Sequence, residues 1–392
     1  MANNRIFYAV QQVGFRADGA TDATNFTALH GVQSVGMTTN FNLSQVFELG
    51  QISIYENIED IPDVEISLTK VLDSRPLIYT AATTNATSPS LSGRQNAKSV
   101  FALAIFPDTN DSAKTGTQPD TQCECSGLFV SSVSYNFPVD GEFTEDVTLV
   151  GNHKMWHNDP KAVQFGAYGE VNADFTGAFT DTGEEVNLDN GGVQRRENLL
   201  LGVAAGGAGT DSNGASRDAD ITVLPTQIHG ISTDGTNRKT DGQNFDAHIQ
   251  NITVSTDLGR EEIFELGRKS PYHRFATFPV EVTCEIEVIA VSGDMVSAIE
   301  EGILTPGSAT GCNDSGNLTD ETIRIATCDG TRIYLGKKNK LASVSYGGGD
   351  AGGGNATVTY SYSTFNDFTV MHEADTNGNF GWGDKNTYVA PA

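Results

Sequence analysis

Phe47-Glu48-Leu49-Gly50 returns later in the chain as Phe264-Glu265-Leu266-Gly267, 217 positions on. The match extends outward without a gap: Gln33 with Gln250, Thr39 with Thr256, Ser53 with Ser270, Tyr55 with Tyr272, Pro62 with Pro279. Apolar positions are kept in kind, as in Val35 with Ile252, Met37 with Val254 and Ile58 with Phe275. A second anchor lies downstream, where Ser132-Val133-Ser134-Tyr135 returns as Ser343-Val344-Ser345-Tyr346, 211 positions on. Val147-Thr148 and Val358-Thr359 fit the same offset of 211. Two anchors in one order imply two copies of a module, at 26–158 and 226–372. A chain that carries its own near-copy points to a symmetric assembly rather than to a catalyst.

Strict alternation identifies the strands. In Asp63 to Val71, Val64, Ile66 and Leu68 take one face, and Glu65, Ser67 and Thr69 the other. In the second copy Val282, Cys284, Ile286 and Val288 alternate with Glu281, Thr283, Glu285 and Glu287. Both read as antiparallel strands with one face buried. Gly127 to Phe137 and Glu142 to Val150 form a hairpin around Asp140-Gly141, a strong turn signal. Two short helices are expected. One is capped by Asp73 and runs through Leu77, Ile78 and Tyr79; the other follows Ser292-Gly293-Asp294 from Met295 to a stop at Gly302. Residues 1–25 read as an N-terminal arm, 159–225 as a Gly- and Asp-rich linker with an exposed insertion, and 373–392 as a polar tail with Phe380 and Trp382 embedded.

The 392 residues include 24 basic and 50 acidic side chains, a net charge of −26. That excess opposes tight binding to phosphate, which requires Lys and Arg. It is compatible with a wall along which DNA slides, and solubility is the plainer reading. No basic start with an apolar run and no bilayer-length apolar stretch is present, so a cytoplasmic site of synthesis and no membrane are expected. Cys123 and Cys125 lack a second pair at zinc spacing, Cys284 alternates like a core residue, and Cys312 and Cys328 are either paired across a loop or free thiols. Gly206-Gly207-Ala208-Gly209 lacks the Lys-Ser/Thr of a phosphate loop. His153 and His157 lack the Glu of a zinc-protease pattern, and Asp375 to Asn379 lacks the rest of a calcium loop. No catalytic residues, metal or cofactor are expected.

The connections 42–62 and 259–279 stand apart. Connections of about 20 residues without regular structure are uncommon in compact domains and tend to be functional. Both carry exposed-type apolar residues beside acids: Phe47, Glu48, Leu49, Ile54 and Tyr55 in the first, Phe264, Glu265, Leu266 and Tyr272 in the second. They read as arms that dock on a neighbouring subunit; the alternative is a loop folded back on its own barrel.

The order of strand, long loop, alternating strand, short helix and hairpin, the last carried by Ser132 to Gly141 and Glu145 to Gly151, resembles the tail tube (major tail) proteins of tailed bacteriophages. The resemblance covers both modules. It implies a mainly β fold of two tandem antiparallel β-sandwich or barrel modules, each with a short flanking helix. It also implies inner sheets that join between subunits into a barrel, and long loops that reach the next ring. Six modules then need three chains, a homotrimeric ring with pseudo-sixfold symmetry, stacked into the virion tail tube. Glu65, Ser67, Thr69, Glu281, Thr283, Glu285 and Glu287 would line the lumen as double-stranded DNA passes without sticking. Sheath, terminator or baseplate proteins would be partners. The alternatives are another baseplate or secretion-tube component, or a β-sandwich adhesin or carbohydrate-binding protein.

Overall fold

Alternating patterns place most of the chain in antiparallel strands, in a computed structural model that describes residues 6–18, 26–73, 75–106, 119, 121–157, 164–165, 171–172, 192–201, 222–232, 244–298, 318–349 and 354–372. The first part holds β1 (Gln11–Ala17), β2 (Thr27–Ala28), β3 (Val32–Asn40), β4 (Leu43–Phe47), β5 (Ile54–Glu59), β6 (Asp63–Val71), β7 (Ser99–Ile105), β8 (Thr121–Pro138), β9 (Thr144–Gly151) and β10 (His153–His157). Helices α1 (Ile78–Ala82) and α2 (Leu91–Arg94) lie between β6 and β7. Four two-residue strands follow: β11 (Gln164–Phe165), β12 (Val171–Asn172), β13 (Ile231–Ser232) and β14 (Asn244–Phe245). The second part holds β15 (His248–Asp257), β16 (Arg260–Ile263), β17 (His273–Ala276), β18 (Glu281–Ile289), β19 (Arg324–Ala326), β20 (Arg332–Tyr334), β21 (Lys340–Gly347), β22 (Thr357–Phe365) and β23 (Thr369–Met371). The fold is mainly β.

Eight strands pair edge to edge into one antiparallel wall, in the order β3-β6-β9-β8-β15-β18-β22-β21. The first four come from one half of the chain and the last four from the other, and β8 against β15 is the joint. The irregularities in the two halves coincide. The β3–β6 register slips between Val32 and Ser34, and β15–β18 slips between Ile249 and Asn251, 217 positions on. The β8–β9 slip between Val130 and Ser132 recurs in β21–β22 between Leu341 and Ser343, 211 positions on. A bulge changes which side chains reach each face, so bulges at matching places keep the core-facing rows in step. One expected match fails. Ser132 faces Thr148, whereas Ser343 faces Ser361, so β22 answers to β9 at an offset of 213 rather than 211. The connection between the paired strands is two residues longer in the second half.

β8 is long because it serves two sheets. Its first half pairs with β7 and β10, its second with β9 and β15, and Gly127 at φ +66° marks the change. The first half extends a sheet of order β2-β1-β7-β8. Phe15, Phe101, Leu103 and Cys125 on this sheet share a core with Val64, Ile66 and Leu68 of the wall. Its other face is covered by Phe26 and Phe106, packed with Val100, Ala102 and Ala104. In the second half, the three-stranded sheet β19-β20-β23 brings Ile325, Ile333 and Val370 to the same continuous core. Each fully buried aliphatic side chain here contributes about 1.5–3 kcal/mol.

Several expectations change. Gln11–Ala17 is not an arm: all seven residues are in register with β7. Asp73 does not cap α1; it is ion-paired with the buried Lys70. Leu77 holds the cap position without a side-chain bond, and the carboxylate of Glu145 accepts the Ile78 N–H at 2.6 Å and the Tyr79 N–H at 3.1 Å. The Tyr135 hydroxyl donates to the same group at 2.9 Å. The second expected helix is not formed over Met295 to Ala298, where Met295 has φ +58° and Asp294 Oδ1 takes the Val296 N–H at 3.0 Å. Residues 299–302 lie outside the described residues. So do most of 159–225 and all of 373–392, with Cys312, the 206–209 glycines and the 375–379 turn. The described stretch 192–201 stitches the halves together. The Gln194 N–H donates to Leu72 O at 2.8 Å, and the Leu200 N–H donates to Ala326 O at 2.9 Å.

Candidate functional site

The wall has two unlike faces. On β6, Val64, Ile66, Leu68 and Lys70 are buried, and Glu65, Ser67 and Thr69 point away from the core. On β18, Val282, Cys284, Ile286 and Val288 are buried, and Glu281, Thr283, Glu285 and Glu287 point away. The pairings extend this second face across the joint. Ser67 faces Thr148, Thr148 faces Ser132, Ser134 faces both Asp146 and Ser255, and Ser255 faces Thr283. Glu285 faces Thr253 and Ser361, and Glu287 faces Thr359. The result is one surface of hydroxyls, amides and carboxylates spanning all eight strands.

Short polar side chains tie this surface together. Thr69 Oγ1 donates to Asp146 Oδ1 at 2.6 Å, Ser255 Oγ and Thr283 Oγ1 share a bond at 2.8 Å, and Thr253 Oγ1 donates to Asn136 Oδ1 at 3.2 Å. Three basic residues occur in the eight strands. Lys70 is buried on the core side, Lys340 opens β21 and is paired with Asp320 at 3.1 Å, and His248 opens β15. Between the strand ends the polar face therefore carries carboxylates and, among the strands' own side chains, no basic residue. Such a surface repels a polyanion and offers it no cationic contact. Sequence alternation singles out the β6 and β18 residues. Asp146, Ser134, Thr253 and Ser361 are missed, although Ser-Val-Ser-Tyr at 132–135 already shows the required period of two.

The two long connections are β-hairpins rather than irregular loops. β4 pairs β5, and β16 pairs β17. Phe47, Glu48, Leu49, Ile54 and Tyr55 are exposed on the first; Phe264, Glu265, Leu266 and Tyr272 are exposed on the second. Their seating differs. The second hairpin is held against the first half of the chain by two arginines. Arg260 donates to Val130 O at 2.7 Å and Gln95 O at 2.6 Å, and stands over the Phe129 ring at 5.1 Å. Burial lowers its pKa to about 10. Arg274 donates to Asp63 Oδ1 at 2.8 Å and Asn152 Oδ1 at 3.3 Å, and is ion-paired with Glu262. At the same sequence offset the first hairpin has Leu43 and Asn57, which cannot supply these bonds. Its root is fastened by Asn42 Nδ2, which donates to Asp63 Oδ2 at 2.7 Å and Ile61 O at 3.0 Å. Asp63 thus ties the roots of both hairpins.

The histidines lie elsewhere. His153 Nδ1 is 3.0 Å from Ser126 Oγ on β8, and His157 is buried at the far end of β10. Among the described residues no group of three or more His, Cys, Asp or Glu is placed to hold a metal ion.

No family model and no curated protein matches the chain. Among solved structures, it is similar to the tube-terminating cap of the anti-feeding prophage, with 14% identity and a TM-score of 0.30 over 41% of this chain and 95% of that one. The sheath–tube complex of an extracellular contractile injection system, PVC, in its extended state matches at 12% identity and a TM-score of 0.30, over 40% and 95% of the two chains. A crystal structure of an Hcp protein matches at 14% identity and a TM-score of 0.22, over 42% and 98%.

Proposed function

We propose that this chain is a structural, non-catalytic subunit of a phage-type tail tube, built from two tandem tube modules. Three copies close one ring, and rings stack into a conduit for double-stranded DNA. The observation that carries this reading is the wall: eight strands in one sheet, a face without basic residues between the strand ends, and β3 and β21 left as its two edges. Long strand edges invite further pairing, and closure into a barrel removes them. The coincident bulges in the two halves support the tandem reading, because they give each half the same four-strand pattern.

The dimensions fit. Three copies supply about 24 strands; at about 4.8 Å spacing and a tilt near 40°, the backbone circle is roughly 48 Å across. Side chains narrow it to roughly 35 Å, which still passes a duplex with its grooves. The exposed apolar hairpins would then meet the adjacent ring, and sheath, terminator or baseplate proteins would meet the rest of the tube. Electron microscopy of the purified chain tests the reading. Hollow rings of three chains with six similar lobes, stacked end to end, are expected. Two-lobed monomers over a wide range of concentration and salt would overturn it in favour of a binding module.

A further inference from the structure

We propose that β21 of one copy pairs antiparallel with β3 of the next in a single register, with Thr38 opposite Ser345 and Thr39 opposite Val344. The proposal rests on the ring reading above and adds the residue-level contact. The chain holds its own template for that contact in the joint between β8 and β15. There Ser255 faces Ser134, Thr256 faces Val133 and Val254 faces Tyr135. β15 answers to β3 at an offset of 217, and β21 answers to β8 at 211, each fixed by a bulge at the matching place. Moving Ser255 back by 217 gives Thr38, and moving Ser134 forward by 211 gives Ser345.

The side chains agree with this register. It sets the small polar Thr38 and Ser345 on the continuous polar face, where Ser255 and Ser134 stand in the template. On the core side it sets Tyr346 against Met37, as Tyr135 stands against Val254. Tyr135 is wholly buried in the joint, whereas Tyr346 on the open edge is 52% exposed. Strand direction also agrees: successive strands of the wall alternate, so the eighth strand meets the first of the next copy antiparallel. A shift by one residue would turn Tyr346 to the polar face; a shift by two sets it opposite Thr39 in one direction and Val35 in the other, and neither matches the register that the bulges fix in the joint.

Engineered cysteine pairs in the full chain test the register. T38C/S345C and T39C/V344C sample neighbouring positions, so one of the two is the closely spaced, non-hydrogen-bonded kind that bridges most readily. T38C/S343C and T39C/Y346C are displaced by two residues. After mild oxidation of assembled rings, one of the first two variants should give covalent dimers and trimers on non-reducing gels, and the displaced pairs should stay near the wild-type background. Rings seen by microscopy in which a displaced pair bridges instead, or in which no pair bridges, would overturn the register and leave the ring reading standing. Failure of the wild-type chain to form rings would overturn both.

Discussion

Glu124 shows how one buried carboxyl can set the pH response of a β-sheet protein. It lies within β8, almost wholly buried, with Gln122 Nε2 at 3.1 Å and Arg16 at 3.9 Å. Burial pushes its pKa up to about 7; Arg16 and Gln122 oppose the shift without cancelling it. The folded protein therefore holds this proton more tightly than the unfolded chain does. The stabilisation is fully present below about 4.5 and is lost as pH rises through about 7, on the order of 3 kcal/mol. Thermal unfolding should show this loss in the wild type, and E124Q should flatten it; an unchanged pH slope in E124Q would count against the assignment. Asp329 behaves oppositely. Although burial raises its pKa, the His372 interaction and hydrogen bonds from Thr327 and Thr331 prevail and hold it at about 2. Its contribution is present above about 3.8 and disappears as pH falls through about 2. In D329N the acid limb of unfolding should move to higher pH in urea titrations. Neither role is legible in the sequence. A Glu inside Gln-Cys-Glu-Cys and an Asp before Gly330 look like surface and turn residues until packing buries them.

At the scale of the element, the hairpins were visible as repeated anchors and invisible as hairpins. Phe-Glu-Leu-Gly marks both tips, but the short strands that carry them alternate weakly. β4 and β5 are exposed along their whole length, so no buried face writes a pattern into the sequence. The seating of the second hairpin was hidden for another reason. Arg260 and Arg274 read as ordinary surface charges, and their partners on the first half lie over 100 residues away. Removing Arg274 leaves Asp63 and Glu262 without their shared cation. R274A should cost about 2 kcal/mol of stability, read as a lower urea midpoint, and should leave ring symmetry unchanged. A midpoint equal to the wild type would show that the seat is incidental. The tips act between rings in the proposed tube. L49D and L266D each place a charge at a fully exposed apolar tip, where it cannot disturb the fold. Single rings without long stacks are expected by microscopy; full-length tubes from both variants would show that the tips do not dock. Over the described residues Met295 to Ala298, the helix expected after Asp294 is absent for a local reason. Asp294 Oδ1 takes the Val296 N–H as a cap would, but Met295 between them has φ +58°, which is left-handed and cannot start a right-handed helix.

At the scale of the whole molecule, alternation revealed the polar face of two strands, and pairing extended it over eight. The sequence could not reveal the order of the wall, because the joint unites residues more than 100 positions apart. The face makes the proposed conduit testable by charge. E281K/E285K/E287K alters each site by two charges and so takes the net charge from −26 to −20 without touching the buried row. Particles built with this variant should have normal tubes and slower DNA ejection, with the delay shrinking as salt is added. Normal tubes with unchanged ejection would show that the face does not meet DNA.

The joint between β8 and β15 has a consequence for how such a ring would come together. Six lobes made as separate chains must meet through five encounters before the ring closes, and ring yield then climbs with the sixth power of chain concentration. Here every second junction is already closed within a polypeptide. Two encounters suffice, the dependence drops to the third power, and the translational freedom of two bodies is lost rather than that of five. Within each chain the tethered halves meet at an effective concentration that dilution cannot reduce. Rings of this design should nucleate in dilute solution where single-lobed subunits would remain apart.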